Sequence, residues 1–172
     1  MIRKNLANFI TVTRMIATLV LLPLKVLSGS FFAVYAWCGI SDVLDGLTAR
    51  TLKITSELGS KLDSASDLAF YTVMMIKIYP YLMKLLPAYV WVLIYSVVII
   101  RAVCYIFVRK RDNRFIHRHT LFNKLTGLTM FFLPYLLEYR YFVYYCLFVL
   151  MLAYMATADE ISWIRKNGNS HD

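Results

Sequence analysis

Five long stretches of the sequence contain no charged residue, and they constrain the fold more than any other feature. They run from Val26 to Ser41, Leu68 to Ile76, Leu85 to Ile100, Leu125 to Leu137 and Tyr141 to Ala158. Of the 172 residues, 60% are hydrophobic and only 17% are charged, and the mean hydropathy is +0.59. These values lie outside the range of ordinary soluble domains. The sequence therefore predicts an all-α integral membrane protein.

We predict six transmembrane helices in a single domain over residues 1–172. The helices cover residues 8–27, 31–50, 60–83, 87–108, 120–137 and 140–164. The basic start followed by an apolar run is also typical of a signal peptide. However, Arg14 interrupts that run and no convincing small-residue cleavage site follows it. We therefore interpret the start as the first transmembrane helix.

The positions of the lysines and arginines predict the orientation in the membrane. With the N-terminus inside, the cytoplasmic ends carry 15 of the 19 basic residues: Arg3, Lys4, Arg14, Arg50, Lys53, Lys61, Arg101, Arg109, Lys110, Arg111, Arg114, Arg118, Lys124, Arg165 and Lys166. Both termini are thus predicted to be cytoplasmic, in the inner membrane of the cell. The net charge of +9 lies beside membrane helices, without a nucleic-acid-binding motif. Anionic lipid headgroups and phosphates, rather than nucleic acid, are the expected partners.

Four aspartates lie at the facing ends of the second and third predicted helices: Asp42, Asp45, Asp63 and Asp67. Within each helix, the two carboxylates are about one turn apart and share a face. Unpaired carboxylates next to apolar segments are costly, so their presence predicts a divalent metal site. Intramembrane aspartates can also form the path of a divalent-cation transporter. All four lie near one predicted surface, which argues against such a path.

These aspartates belong to a longer pattern, D-x2-D-G-x2-A-R-x8-G-x3-D-x3-D. It is formed by Asp42, Asp45, Gly46, Ala49, Arg50, Gly59, Asp63 and Asp67. The pattern resembles the signature of the CDP-alcohol phosphatidyltransferases, and the six-helix layout is similar to theirs as well. The resemblance implies a phospholipid-synthesising transferase, commonly a homodimer, that uses CDP-diacylglycerol and releases CMP. It also implies that Asp42, Asp45 and Asp63 bind metal ions, while Asp67 both binds metal and acts as the general base.

The chemistry of phosphoryl transfer agrees with these implied roles. Hard cations held by carboxylates stabilise the charge that develops on the phosphate, and four carboxylates suffice for two Mg²⁺ or Mn²⁺ ions. Gly46 and Gly59 would let the nucleotide approach the helix backbones, Ala49 keeps that face small, and Arg50 would hold CDP. Taken singly, the glycines are equally typical of close helix packing, and Arg50 of a cytoplasmic flank.

A second polar pattern lies at the start of the first helix. Asn8, Thr11 and Arg14 recur every three residues and so share a helical face. Members of the resembled family carry a similar Asn-x-x-Thr-x-x-Arg pattern near the nucleotide, which makes Asn8 and Thr11 candidate CDP contacts. A solvated or headgroup-facing stripe explains the same pattern, and both interpretations stay open.

Basic residues of the second half are candidates for binding the acceptor. Arg101 ends an apolar run, and Arg118 and Lys124 lie near the start of the fifth helix. They resemble the residues that line an acceptor-phosphate pocket in the glycerophosphate-accepting branch of the family, although basic residues at cytoplasmic helix ends also serve orientation alone. We therefore expect glycerol 3-phosphate as the acceptor, with serine, inositol phosphate or another alcohol as alternatives. A polar cavity open to the cytoplasm would let the nucleotide and acceptor enter from water while the lipid tails stay in the bilayer.

Overall fold

The computed structural model of the protein describes residues 2–52, 57–112 and 120–168, with side chains over 11–44, 65–108 and 120–165. Over these ranges the chain is helical and contains no strand. The helices are α1 (Ile2–Leu21), α2 (Gly29–Leu52), α3 (Glu57–Leu85), α4 (Ala88–Asp112), α5 (Leu121–Phe132) and α6 (Phe142–Gly168), and the 3₁₀ helix Leu133–Leu136 directly follows α5. The predicted all-α class and the six helices are confirmed for this part of the chain.

Two α-helices end earlier than predicted, and a proline accounts for each. α1 ends at Leu21 rather than at residue 27, because Pro23 has no N–H to donate and disfavours helical backbone in the residue before it. α5 ends at Phe132, and the chain continues to Leu136 as a 3₁₀ helix that has Pro134 in its first turn. Both changes leave short non-α segments inside the predicted spans.

Within the described residues, two helices are long and apolar enough to cross a membrane. They are Ala88–Val108 within α4 and Phe142–Arg165 within α6, with mean hydropathies of 2.3 and 1.6. Only 11% and 33% of these segments are buried inside the protein, whereas the core helix of a soluble protein is mostly buried. Thr11–Leu21 and Gly29–Leu44 are shorter apolar helices. The six predicted spans and the polar cavity stay predictions.

The chain divides into two compact units, Met1–Leu82 and Met83–Asp172, with the division near the end of α3. In the first unit α1 packs along α2, and the core includes Leu21 and Phe31. Tyr35 of α2 stacks on Phe70 of α3, with 5.6 Å between the ring centroids. The predicted single domain over residues 1–172 stays a prediction.

Lys77 of α3 forms a hydrogen bond with the connection between α1 and α2. Its charged group lies on α3 in an apolar stretch, where a cation needs a partner. Its Nζ donates a hydrogen bond of 2.6 Å to the carbonyl of Leu24. Leu24 follows the end of α1, so the early end of that helix provides a carbonyl for Lys77.

In the second unit α6 packs against both α4 and α5. The hydroxyl of Tyr154 on α6 contacts Ser96 of α4 and donates to the carbonyl of Leu93 at 3.2 Å. The hydroxyl of Tyr145, nearer the start of α6, donates to the carbonyl of Thr129 on α5 at 2.6 Å. These tyrosines therefore link α6 to its two neighbours through polar contacts.

The backbone at Leu27 gives a test of the turn between α1 and α2. Among the described residues Leu27 is the non-glycine residue with a positive φ, 71°, a conformation that costs an L-residue about 1–2 kcal/mol. Leu27→Gly should therefore be more stable than Leu27→Ala by about 1 kcal/mol, measured by thermal unfolding in detergent. At Leu24, whose φ is not positive, the same pair should show the opposite order. A glycine variant at position 27 that is less stable than the alanine variant would contradict this interpretation of the turn.

Candidate functional site

The signature residues lie on two helices of the first unit, as predicted. α2 carries Asp42, Asp45, Gly46, Ala49 and Arg50, and α3 carries Gly59, Asp63 and Asp67. Among these, the side chains of Asp42 and Asp67 are described. The side chains of Asp45, Ala49, Arg50 and Asp63, the surroundings of Gly46 and Gly59, and the side chain of Asn8 on α1 lie outside the described part.

Arg14 of α1 brings Asp42 and Asp67 together. Its Nη1 forms an ion pair with Oδ1 of Asp42 and lies 3.2 Å from Oδ1 of Asp67. A single nitrogen thus contacts one oxygen from each of two helices, so the two carboxylates converge. Asp42 and Asp67 lie inside the observed helices rather than at their ends, and the site formed by all four aspartates stays a prediction.

The position of the Arg14 guanidinium is fixed on more than one side. The side chain is only 2% exposed, and its Nε donates to Oγ of the buried Ser66 at 3.0 Å. A buried cation is tolerated when anions and hydrogen-bond acceptors surround it. Arg14 meets that condition through α2 and α3.

The two carboxylates stay accessible although their cation is buried. The side chains of Asp42 and Asp67 are 57% and 43% exposed, against 2% for Arg14. The guanidinium therefore lies on the protein side of the carboxylates, while part of each carboxylate faces outward. A ligand that approaches from outside can reach both groups.

The role of Arg14 was missed by the sequence reasoning, which placed it in a stripe with Asn8 and Thr11. Thr11 and Arg14 are both buried, so a solvated stripe does not describe these two residues. One signal was present in the sequence: a lone arginine in an apolar run needs an anionic partner. The sequence did not show which carboxylates would provide it.

The carboxylate oxygens of Asp42 and Asp67 are chemically suitable ligands for a divalent metal ion. Carboxylate oxygens are the ligands that Mg²⁺ and Mn²⁺ prefer, and here two of them converge on a positive group. Among the described side chains, no group of three or more His, Cys, Asp or Glu comes together. Asp45 and Asp63 lie outside that set. The carboxylates of Asp42 and Asp67 are suitable metal ligands, and the metal site itself stays a prediction.

A second cationic group lies within the second unit. Nε of Arg101 on α4 donates to Oγ1 of Thr157 at 2.9 Å, and Nη2 donates to Oδ1 of Asn123 at 2.8 Å and to the carbonyl of Ala153 at 3.4 Å. Its Nη1 has no hydrogen-bond partner among the described residues. The guanidinium is held along one edge by neutral groups, and its charge can attract an anion.

The predicted neighbours of Arg101 are only partly described. Lys124 lies in the first turn of α5, next to the Asn123 that binds Arg101, and its side chain is exposed. Thr120 caps this helix by accepting a hydrogen bond from the backbone N–H of Asn123 at 3.2 Å. Arg118 lies outside the described residues. Of the three predicted acceptor-binding residues, Lys124 thus lies in the first turn of α5, and Arg101 of α4 contacts that turn through Asn123.

Comparison with known families identifies the class of protein. The family model of the CDP-alcohol phosphatidyltransferases matches residues 4–158, which include the whole signature, Arg14, Arg101 and Lys124. The chain therefore belongs to the CDP-alcohol phosphatidyltransferase family, whose membrane-embedded enzymes transfer a phosphatidyl group from a CDP-alcohol to an alcohol. Neither the curated proteins nor the solved structures gave a significant match.

Removing the hydroxyl of Thr157 tests whether the neutral hydrogen-bond partners of Arg101 stabilise the second unit. Thr157→Val deletes the acceptor for Nε, and because a hydrogen bond to a charged group contributes about 1.5–3 kcal/mol, the free energy of unfolding should fall by about that amount. Thr129→Val on α5 is the matched control, since its hydroxyl donates only to the carbonyls of Leu125 and Thr126. Unfolding in detergent should show the larger loss for Thr157→Val. Equal losses would mean that Arg101 does not depend on this contact.

Proposed function

We propose that this protein transfers the phosphatidyl group of CDP-diacylglycerol to glycerol 3-phosphate, as a phosphatidylglycerophosphate synthase. The observation that carries the proposal is the convergence of Asp42 and Asp67 at Arg14. These two aspartates come from the two halves of the family signature. Their accessible carboxylates provide a place where a phosphate group and its counter-ions can bind.

The proposed reaction is a single displacement at phosphorus. The acceptor hydroxyl attacks the phosphorus that links diacylglycerol to CMP, a new P–O bond forms, and the bond to CMP breaks, so that CMP leaves. Asp67 accepts the proton of the attacking hydroxyl. A general base must be reachable, and the carboxylate of Asp67 is half-exposed.

In the proposal, Asp42, Asp45, Asp63 and Asp67 hold two Mg²⁺ or Mn²⁺ ions. When bound, such ions stabilise the negative charge on the transferred phosphate. In the structure Arg14 contacts both Asp42 and Asp67, so these two carboxylates lie close together where such ions would bind. The same signature supplies the proposed CDP contacts Gly46, Ala49, Arg50 and Gly59, to which α1 adds Asn8 and Thr11.

The choice of glycerol 3-phosphate rests on the cationic groups of the second unit. A phosphate on the acceptor can bind the exposed Lys124 and Nη1 of Arg101 through charge-assisted hydrogen bonds, and Arg118 is proposed as a third contact. Serine carries no phosphate and would leave these cations without a partner. Inositol phosphate does carry one, so only a comparison of acceptors separates it from glycerol 3-phosphate.

The inner membrane, the cytoplasmic termini and the homodimer belong to the same proposal. The two long apolar helices and the family support a membrane protein. The excess of basic residues at one set of predicted helix ends supports the orientation, and the homodimer follows from the resemblance alone.

The general base gives the sharpest test of the reaction. Purified protein with CDP-diacylglycerol, Mn²⁺ and a panel of alcohols should release CMP fastest with glycerol 3-phosphate. Asp67→Asn should lower the rate by at least about 100-fold, because general-base catalysis contributes about 10²–10⁴-fold. Asp159→Asn, a half-buried aspartate outside the signature, should keep a rate close to that of the wild type. No CMP release with any acceptor, together with Mn²⁺ uptake by protein-containing liposomes, would instead support a transporter.

Lys124 tests the acceptor side separately. Lys124→Ala should raise the KM for glycerol 3-phosphate by about 10- to 100-fold, since a lost charge-assisted hydrogen bond costs about 1.5–3 kcal/mol. The KM for CDP-diacylglycerol should change much less. Lys84→Ala, which removes an exposed lysine at the end of α3, is the control. A larger effect on CDP-diacylglycerol would assign Lys124 to the nucleotide instead.

A further inference from the structure

Arg14 occupies the place where a cation would contact both aspartates. Its Nη1 contacts Oδ1 of Asp42 and Oδ1 of Asp67, and these two carboxylates are among those that would hold the proposed metal ions. A guanidinium nitrogen and a divalent ion cannot make their closest contacts to the same lone pairs at once. The cluster therefore contains a protein cation where the proposed function requires a metal cation.

We propose that Arg14 is a resident counter-cation for this site. It holds Asp42 and Asp67 together when no divalent ion is bound, and it gives up its Nη1 contacts when a divalent ion binds the two carboxylates. This inference rests on the proposed metal-dependent function, and it adds a positioning residue that regulates how tightly the metal binds. Arg14 acts here through the two aspartates rather than on the substrate.

The need for such a cation follows from the negative charges of Asp42 and Asp67. Two carboxylates that converge repel each other, and this repulsion would separate the ends of α2 and α3 unless a positive charge lies between them. In the described part of the chain, Arg14 is the cation that contacts both of them. The metal-free protein thus keeps the two carboxylates in place with its own positive charge.

The burial of Arg14 determines the direction of the effect on metal binding. The side chain is 2% exposed, and its Nε is held by Ser66 on the same helix as Asp67. The guanidinium therefore stays close when a divalent ion binds, and two positive groups at short distance repel each other. Arg14 should lower the affinity of the site for Mn²⁺ while it stabilises the metal-free protein.

The test compares wild type and Arg14→Gln as purified full-length proteins in detergent, stripped of metal. Thermal unfolding and Mn²⁺ binding by electron paramagnetic resonance are measured over a Mn²⁺ titration. Without metal, Arg14→Gln should melt at a lower temperature than wild type, and the difference should shrink as Mn²⁺ is added. Mn²⁺ should bind Arg14→Gln about tenfold more tightly, because one nearby positive charge has been removed. Arg165→Gln, which removes an exposed arginine of α6, should change neither quantity.

Ser66→Ala provides a second variant that keeps the charge. It removes only the acceptor for Nε, so the guanidinium is held less firmly and Mn²⁺ should bind about two- to fivefold more tightly. This variant decides the question if Arg14→Gln does not fold. Unchanged or weaker Mn²⁺ affinity in Ser66→Ala would then overturn the inference.

Other results separate this inference from the proposed function. A melting difference between wild type and Arg14→Gln that is equal at all Mn²⁺ concentrations, with unchanged affinity, would make Arg14 a purely structural residue and overturn the inference. If wild type still releases CMP in the presence of Mn²⁺, the proposed function survives that result. If neither protein binds Mn²⁺ at all, the metal centre and the counter-cation role both fail.

Discussion

The buried ion pair of Arg14 with Asp42 and Asp67 is the interaction on which the first unit depends. A guanidinium that is buried among the apolar side chains of packed helices is stable only where anions and hydrogen-bond acceptors contact it. α2 and α3 bring those groups to α1, and this requirement restricts how the three helices can be rotated against one another. The contact that stabilises the unit also assembles the candidate site.

The two buried or half-buried arginines serve different purposes because their partners differ. Arg14 contacts carboxylates, so its charge is compensated within the protein and its effect is to organise them. Arg101 contacts a hydroxyl, an amide oxygen and a backbone carbonyl. Those neutral partners fix its geometry, and none of these described partners carries a negative charge, which suits the binding of a phosphate from outside. The chemistry of the neighbours, rather than the residue type, thus separates an organising cation from a ligand-binding one.

The sequence predicted the parts that depend on composition and local pattern. Charge-free stretches predicted the six helices, and the fixed spacing from Asp42 to Asp67 predicted their place on two facing helices and the family. The sequence predicted poorly where a helix ends when a single proline interrupts an apolar run. Pro23 was present as a signal for the early end of α1, but the apolar run continues past it and obscured that end. Contacts between helices were missed for a deeper reason, since the partners of Arg14 and Arg101 depend on how the helices are rotated in the folded protein.

Locating bound manganese would test the proposed reaction centre most directly. Crystals of the protein grown with Mn²⁺ and measured for anomalous scattering would show which side chains bind the ion. The prediction is a peak at coordination distance, about 2.0–2.2 Å, from carboxylate oxygens of Asp42 and Asp67, with Nη1 of Arg14 withdrawn from them. A peak elsewhere in the protein, with Arg14 still paired to both aspartates, would contradict the assignment of this cluster as the metal-dependent phosphatidyl transfer centre.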